Sequence, residues 1–391
     1  MNRMAMWLIS LIVLVPGLVQ VIPAWADDRE EVQQLREEVQ RLKERLQQLE
    51  QVLAKQQEEE AKRKEAEAKK LEPVQAGYGK IKFDGLVQMW GSTDGKKSDT
   101  FRARRTELKF SGQVHPKVKW AVMFDPAKTL TQNKDKDIVQ SSRTLQDAFL
   151  TLLLGEKTQL DVGQYKLPTS EEGLRSSAQL DTVERSLISV RGKWGDIRDL
   201  GVMLRGSFDN GEYQLGVFNG EGQNVTDAND SKDVAARVVF KPSTTPGLEL
   251  GLSTYQGKRG AEKATNRRVG AEARFLSDPW VLKAEYMTGR DNVSSSTLAD
   301  REGWFLLAGY SLDAKRQIVA RYDAWDPDTD LSGDQEQDWL LGMNWFLAKH
   351  NAKFQLNLVR KNFGATGAAA AGYPAGTRHV NQLLTNFQIA F

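Results

Sequence analysis

The chain has 391 residues, 27% of them charged, a net charge of +2 and no Cys. The missing Cys excludes disulfides, thiolate metal centres and a lipidated N-terminal Cys. Outside residues 1–72 there are 42 Lys/Arg against 38 Asp/Glu, an excess of +4, too small for a nucleic-acid-binding surface.

Residues 1–26 read as a cleaved secretory signal. Arg3 is the positive start, 7–22 the apolar core, and Ala24-Trp25-Ala26 an A-x-A cleavage site. The mature chain then begins at Asp27. No later stretch reaches the ~18 apolar residues of a spanning helix.

Residues 27–72 predict a periplasmic coiled coil followed by a charged helix. Val32, Val39, Leu46 and Leu53 fall on heptad a positions, and Leu35, Leu42 and Leu49 on d positions. So narrow an apolar stripe needs partner helices. The heptads lapse into the charged run 58–70, and 73–78, with Pro73 and Gly77, is a linker.

From Gly79 the hydrophobic period becomes two. Phe83, Val87 and Met89 share one face, and Lys80, Lys82, Asp84 and Gln88 the other. The last run alternates to the terminal residue: Leu383, Thr385, Phe387, Ile389 and Phe391 against Leu384, Asn386, Gln388 and Ala390. Sixteen such strands fit between Gly79 and Phe391. Their connections alternate, with long ones near 91–100, 128–142, 166–198, 220–232, 258–266, 289–300, 326–337 and 363–378. Short ones lie between. Short periplasmic turns and long outer loops mark a transmembrane barrel. A soluble-looking composition does not count against it, since only alternate residues face lipid. The fold class expected is therefore all-β: a 16-stranded antiparallel transmembrane β-barrel, 79–391, in the outer membrane of a Gram-negative bacterium, preceded by the α-helical coiled coil. Trp90, Tyr165, Tyr310, Trp325, Trp339 and Trp345 lie near strand ends, where interfacial girdles form.

No enzyme, cofactor or metal is expected. His115, His350 and His379 are far apart, and no G-x-S-x-G, H-E-x-x-H or P-loop occurs. The stretch Asp326-Pro327-Asp328-Thr329-Asp330 opens like a calcium loop but has Leu331 where Gly is required and Gln337 at the twelfth position.

The longest connection, 166–198, exceeds a plain connector. It carries apolar Leu174, Leu180, Val183 and Leu187 and both charge signs, so it is expected to fold inward, lean on the wall and narrow the pore. Gly163-Gln164-Tyr165-Lys166-Leu167-Pro168, then Glu171-Glu172, Ser176-Ser177, Asp181 and Glu184-Arg185-Ser186, resemble the signature of the phosphate-selective porin O and P family. The run Phe101-Arg102-Ala103-Arg104-Arg105 leading to Lys109-Phe110-Ser111-Gly112 is similar to that family's second strand. The resemblance implies a homotrimer of 16-stranded barrels, a third loop in the lumen and a cationic path for phosphate.

Alternation puts Arg105, Lys109, Lys119 and Arg205 on the water side together with Glu107, Asp125, Asp147 and Glu285, a mixed lumen. The candidate anion-binding and constriction residues are Arg102, Arg104, Arg105, Lys109, Lys119, Lys166, Arg175, Arg185 and Arg205. Arg offers a planar fork to phosphate oxygens and Lys a compact charge. The expected function is passive diffusion of small anions, phosphate or polyphosphate, with outer-membrane lipid and lipopolysaccharide around the barrel. The alternatives are a general diffusion porin, or an envelope tether whose coiled coil contacts the cell wall or a periplasmic partner.

Overall fold

The computed structural model describes residues 33, 36–51, 74–76, 79–97, 99–128, 130–132, 138–140, 144–292 and 298–391. The chain divides into two units, 1–72 and 73–391. The expected signal segment and the charged run 58–70 lie outside the described residues. Of the heptad stretch, 36–51 is helix with every residue exposed. Val39, Leu42, Leu46 and Leu49 form a bare apolar stripe along it. The structure therefore shows the helix and, among the described residues, no partner for it.

The second unit is a closed antiparallel barrel of sixteen strands. In chain order these are β1 (Gly79–Thr93), β2 (Thr100–His115), β3 (Val118–Phe124), β4 (Leu145–Leu153), β5 (Thr158–Lys166), β6 (Arg198–Phe208), β7 (Gly211–Phe218) and β8 (Asp233–Phe240). There follow β9 (Leu248–Arg259), β10 (Ala264–Ser277), β11 (Trp280–Asn292), β12 (Leu298–Asp313), β13 (Arg316–Asp326), β14 (Glu336–Phe346), β15 (Ala352–Phe363) and β16 (His379–Ala390). Each pairs with the next, and β16 pairs with β1, Leu383 opposite Thr93 through Ala390 opposite Leu86. A three-residue strand, Val74–Ala76, adds to the start of β1.

The side-chain distribution is inside-out. Phe83, Val87, Met89, Leu150, Val202, Leu252, Leu306, Leu341, Leu358, Phe387 and Ile389 point outward and are exposed, while Gln88, Lys283, Glu285, Arg321, Asp323, Asn344, Gln355, Asn357 and Asn386 are buried. A barrel bathed in hydrocarbon outside and filled with water and protein inside requires this arrangement. The buried amides satisfy one another across the inner wall. Asn386 Nδ2 donates to Gln355 Oε1 (2.9 Å), Gln355 Nε2 to Asn344 Oδ1 (3.0 Å) and Asn344 Nδ2 to Gln317 Oε1 (2.7 Å).

Two sequence expectations need correction. The connection expected at 258–266 is long only in sequence. β9 and β10 pair out to Arg259 opposite Ala264, so an extended hairpin replaces a loop. Of the six expected girdle aromatics, Trp90, Tyr165 and Trp325 are buried on the inner side. Nearness to a strand end does not decide which face a residue takes; strand parity does. The outward aromatics pair across strands instead, Trp280 on Tyr310 (4.8 Å between centroids) at one end and Trp304, Tyr322 and Trp339 in a row (5.0 and 4.5 Å) at the other.

Candidate functional site

The segment between β5 and β6 builds its own scaffold. It begins where β5 bends at Gly163, whose φ of 134° is open to glycine alone. A Cβ there would lie 2.3 Å from the Ala148 carbonyl. Ser170 caps the short helix α1 (Glu171–Leu174) by accepting from the Gly173 N–H at 2.9 Å. A second short helix, α2, spans Leu187–Val190. Lys166 Nζ donates to the carbonyls of Gly173 (2.7 Å) and Arg175 (3.0 Å) and lies 2.8 Å from Asp196. Arg185 donates to the carbonyls of Glu172 and Arg175 and lies 3.4 Å from Asp196. Arg175 pairs with Glu171. Burial raises the Asp196 carboxyl, but Lys166, Arg185, Arg198 and Arg105 outweigh it and hold the group well below the ordinary value. Three of the candidate cations, Lys166, Arg175 and Arg185, thus fold the segment onto itself.

Wall residues then hold it. Lys353 Nζ donates to the Leu180 carbonyl (2.6 Å), Asn344 Nδ2 to that of Asp181 (2.8 Å) and Arg321 Nη1 to that of Glu184 (2.9 Å). Asn357 Oδ1 accepts from the Val183 N–H (2.7 Å) and Asp291 from the Trp194 indole N–H (2.7 Å). Val183, Leu187, Ile188 and Trp194 pack against Phe305, Val319, Trp325 and Leu340. Fully burying each such side chain stabilises by roughly 2 kcal/mol.

On β2 the backbone makes the cluster. A regular strand sends Arg104 and Arg105 to opposite faces. Here Gln88 lies opposite Arg105 and Met89 opposite Ala103, a register shift that leaves Arg104 as an extra, bulged residue. Arg102, Arg104 and Arg105 consequently all approach the Trp90 ring, at 5.4, 4.9 and 5.9 Å from its centroid. Arg105 is buried, donates to Gln88 Oε1 (2.8 Å) and lies 3.7 Å from Glu107. Arg104 is three-quarters buried and its nearest carboxylate is Glu184, at 3.8 Å. Its Nε has no partner among the described residues. Arg102 has no carboxylate within ion-pair distance among the described residues. Burial raises the Glu184 carboxyl, yet Arg104, Arg105 and Arg102 bring it below its ordinary value.

Toward the end with the short turns, Lys109 and Lys119 join Lys80 and Lys82 around a recess of about 330 Å³. Lys82 lies 2.7 Å from Asp84, while among the described residues Lys80, Lys109 and Lys119 pair with no carboxylate. Arg205 is bound to Asp161, which also accepts from Thr151 at the edge of the lysine recess. The candidates therefore fall into an arginine cluster (Arg102, Arg104, Arg105), a lysine recess (Lys109, Lys119), a segment scaffold (Lys166, Arg175, Arg185) and a wall pair (Arg205). Sequence reasoning left out Lys80 and Lys82, although both sit on the polar parity of β1, and Trp90, the platform for the arginines. Among the described residues no group of three or more His, Asp or Glu is placed to hold a metal ion.

Solved barrels share this architecture at low identity. An anion-selective porin from Comamonas acidovorans is 12% identical with a TM-score of 0.57, covering 80% of this chain and 100% of that one. OmpF of Salmonella typhi, in complex with daunomycin, is 13% identical with a TM-score of 0.58, covering 82% and 100%. OmpT of Vibrio cholerae, in its trimer form, is 12% identical with a TM-score of 0.54, covering 81% and 100%. No curated protein matches the chain by sequence. The family model for phosphate-selective porins O and P matches residues 74–266 and 249–391. A closed porin-type barrel matched along its length by that model is an outer-membrane channel, and the chain belongs to the phosphate-selective porin O and P family.

Proposed function

We propose that the barrel is an anion-preferring pore, narrowed by the 166–198 segment, in which oxyanions of the phosphate class bind weakly at the Arg102–Arg104–Arg105 cluster and pass on along the lysine recess. The observation that carries this reading is the β2 bulge. It concentrates three guanidinium groups on one inner patch, and among the described residues none of them comes closer than 3.7 Å to a carboxylate. A phosphate in a narrow passage loses water, and forked Arg donors replace it. Conduction needs binding loose enough to release, or spread over several sites. The four lysines of the recess supply such further sites below the cluster. The 166–198 segment contributes shape more than charge, since Lys166 and Arg185 spend donors on its own carbonyls and Arg175 pairs with its own Glu171.

The test is phosphate block of chloride current through purified channels in a planar bilayer. Graded block in wild type, weakened in Arg102→Gln and Arg104→Gln, supports the reading. Chloride current indifferent to phosphate rejects it.

The heptad helix favours an accompanying structural role. Its stripe of Val39, Leu42, Leu46 and Leu49 suits a parallel helix from each of three barrels, and a trimer form is described for the similar OmpT barrel. Such a bundle is the envelope tether of this reading. Deleting 27–72 tests this: envelope attachment or trimer yield falls while single-channel conductance stays.

A further inference from the structure

Among the described residues, the side chain of the 166–198 segment within ion-pair distance of the arginine cluster is an acid, Glu184. We infer that Glu184 is a tethered counter-anion of Arg102, Arg104 and Arg105, and that by competing with the travelling oxyanion it determines how briefly that oxyanion is held. This rests on the anion-pore reading above.

The geometry separates fixation from charge. The Glu184 main chain is pinned: its carbonyl accepts from Arg321 Nη1 (2.9 Å) and from the Thr182 hydroxyl (2.8 Å). One carboxylate oxygen accepts from the Arg185 N–H at 3.1 Å. The other faces Arg104 Nη2 across 3.8 Å. That distance is too long for a hydrogen bond but short enough for Coulomb attraction. Glu184 thus neutralises charge without using the cluster's donors, and among the described residues Arg104 Nε stays unpartnered. Three guanidinium groups with no acid would bind a doubly charged oxyanion tightly and stall the flow. Three with a close, bidentate acid would bind none. A carboxylate held just out of hydrogen-bond range leaves the donors available and subtracts one charge from the attraction. Its depressed protonation keeps that charge in place at neutral pH.

The test uses full-length mature protein in planar bilayers, with inorganic phosphate added to chloride. Glu184→Gln removes the charge and keeps the main-chain bonds. Glu212→Gln serves as control. Glu212 takes the inner parity of β7, pairs with Lys241 near the periplasmic end and is far from the cluster. The half-blocking phosphate concentration is expected to fall roughly five- to tenfold in E184Q, about the weight of one screened unit charge near 4 Å. Blocked intervals lengthen to match, and E212Q behaves as wild type. Equal phosphate block in wild type and E184Q overturns the inference and leaves the pore reading standing, as does equal tightening in E212Q. Phosphate block in neither wild type nor E184Q overturns both. If E184Q yields no channels, Glu184→Asp withdraws the carboxylate by one methylene. A smaller tightening is then expected, and none overturns the inference.

Discussion

Gly85 and Phe391 exchange backbone hydrogen bonds, Phe391 N–H to the Gly85 carbonyl at 2.9 Å and Gly85 N–H to the Phe391 carbonyl at 2.7 Å. The last residue of the chain thereby completes the seam between β16 and β1. The Phe391 ring lies over Gly85, where a Cβ would come within 2.3 Å of it, and sits tilted with its centroid 5.8 Å from that of Phe83. Gly85→Ala therefore forces the ring aside. Because that ring is the far end of a flexible, half-exposed side chain, the shift costs only about 1 kcal/mol, the low end for overpacking. The expected outcome is a lower thermal threshold for the heat-modifiable shift of the barrel on gels, with Phe391→Ala lowering it by a similar amount through lost packing. An unchanged threshold in both variants would show that the seam does not depend on the ring.

Trp194 fastens the 166–198 segment to the wall. It is fully buried, meets Trp325 edge-on at 5.1 Å and donates to Asp291. Trp194→Ala should cost the segment's attachment about 3–5 kcal/mol while sparing the strand ladder. Protease cutting within 166–198 is expected to rise by at least an order of magnitude, with a noisier and larger single-channel conductance. Wild-type resistance to cutting would contradict this role.

Arg104 and Arg105 are neighbours with different work. Arg105 is buried and bonded to Gln88, so Arg105→Gln leaves an unmet acceptor and destabilises by about 1–3 kcal/mol. Among the described residues the carboxylate nearest Arg104 is Glu184 at 3.8 Å, beyond hydrogen-bond range, so Arg104→Gln should leave the unfolding temperature within about 1–2 °C of wild type while weakening phosphate block severalfold. Parallel thermal melts and bilayer recordings separate the two. Equal loss of stability in both variants would contradict the assignment.

Acid should loosen the segment in two stages. His350, in the turn between β14 and β15, is pushed down to about 4, chiefly by burial and then by Lys353. Its unfolded form takes a proton near the ordinary 6.5, so stability is lost as pH falls from 6.5 toward 4. Glu184 and Asp196 have depressed values. Their contribution is whole above the ordinary 4.5 and 3.8 and drains only as pH falls below these. Melting temperature against pH should therefore decline in the first window for wild type but not for His350→Gln, and both should fall in the second. Identical profiles would refute the His350 contribution.

The barrel was legible because period-two alternation is imposed by lipid on one side and water on the other. Leu383 to Phe391 could satisfy both sides in only one register. Which cations belong together was not legible. Lys166, Arg175 and Arg185 read as a basic loop, yet Lys166 and Arg185 donate to carbonyls of the same segment and Arg175 pairs with its Glu171, an arrangement that composition does not record. The cluster at Arg102, Arg104 and Arg105 defied parity, because a one-residue bulge between Gln88 and Met89 changes which face a side chain takes. No local sequence signal distinguishes that bulge from regular strand. Trp90 was placed at an interface by its position near a strand end, although its parity with Gln88 already pointed inward.

The most direct measurement is the zero-current potential across a planar bilayer with a KCl gradient and purified wild-type channels. The account predicts a potential displaced toward the chloride equilibrium value, shrinking when Arg102 and Arg104 are both changed to Gln. A potential near the potassium equilibrium value in wild type would contradict it.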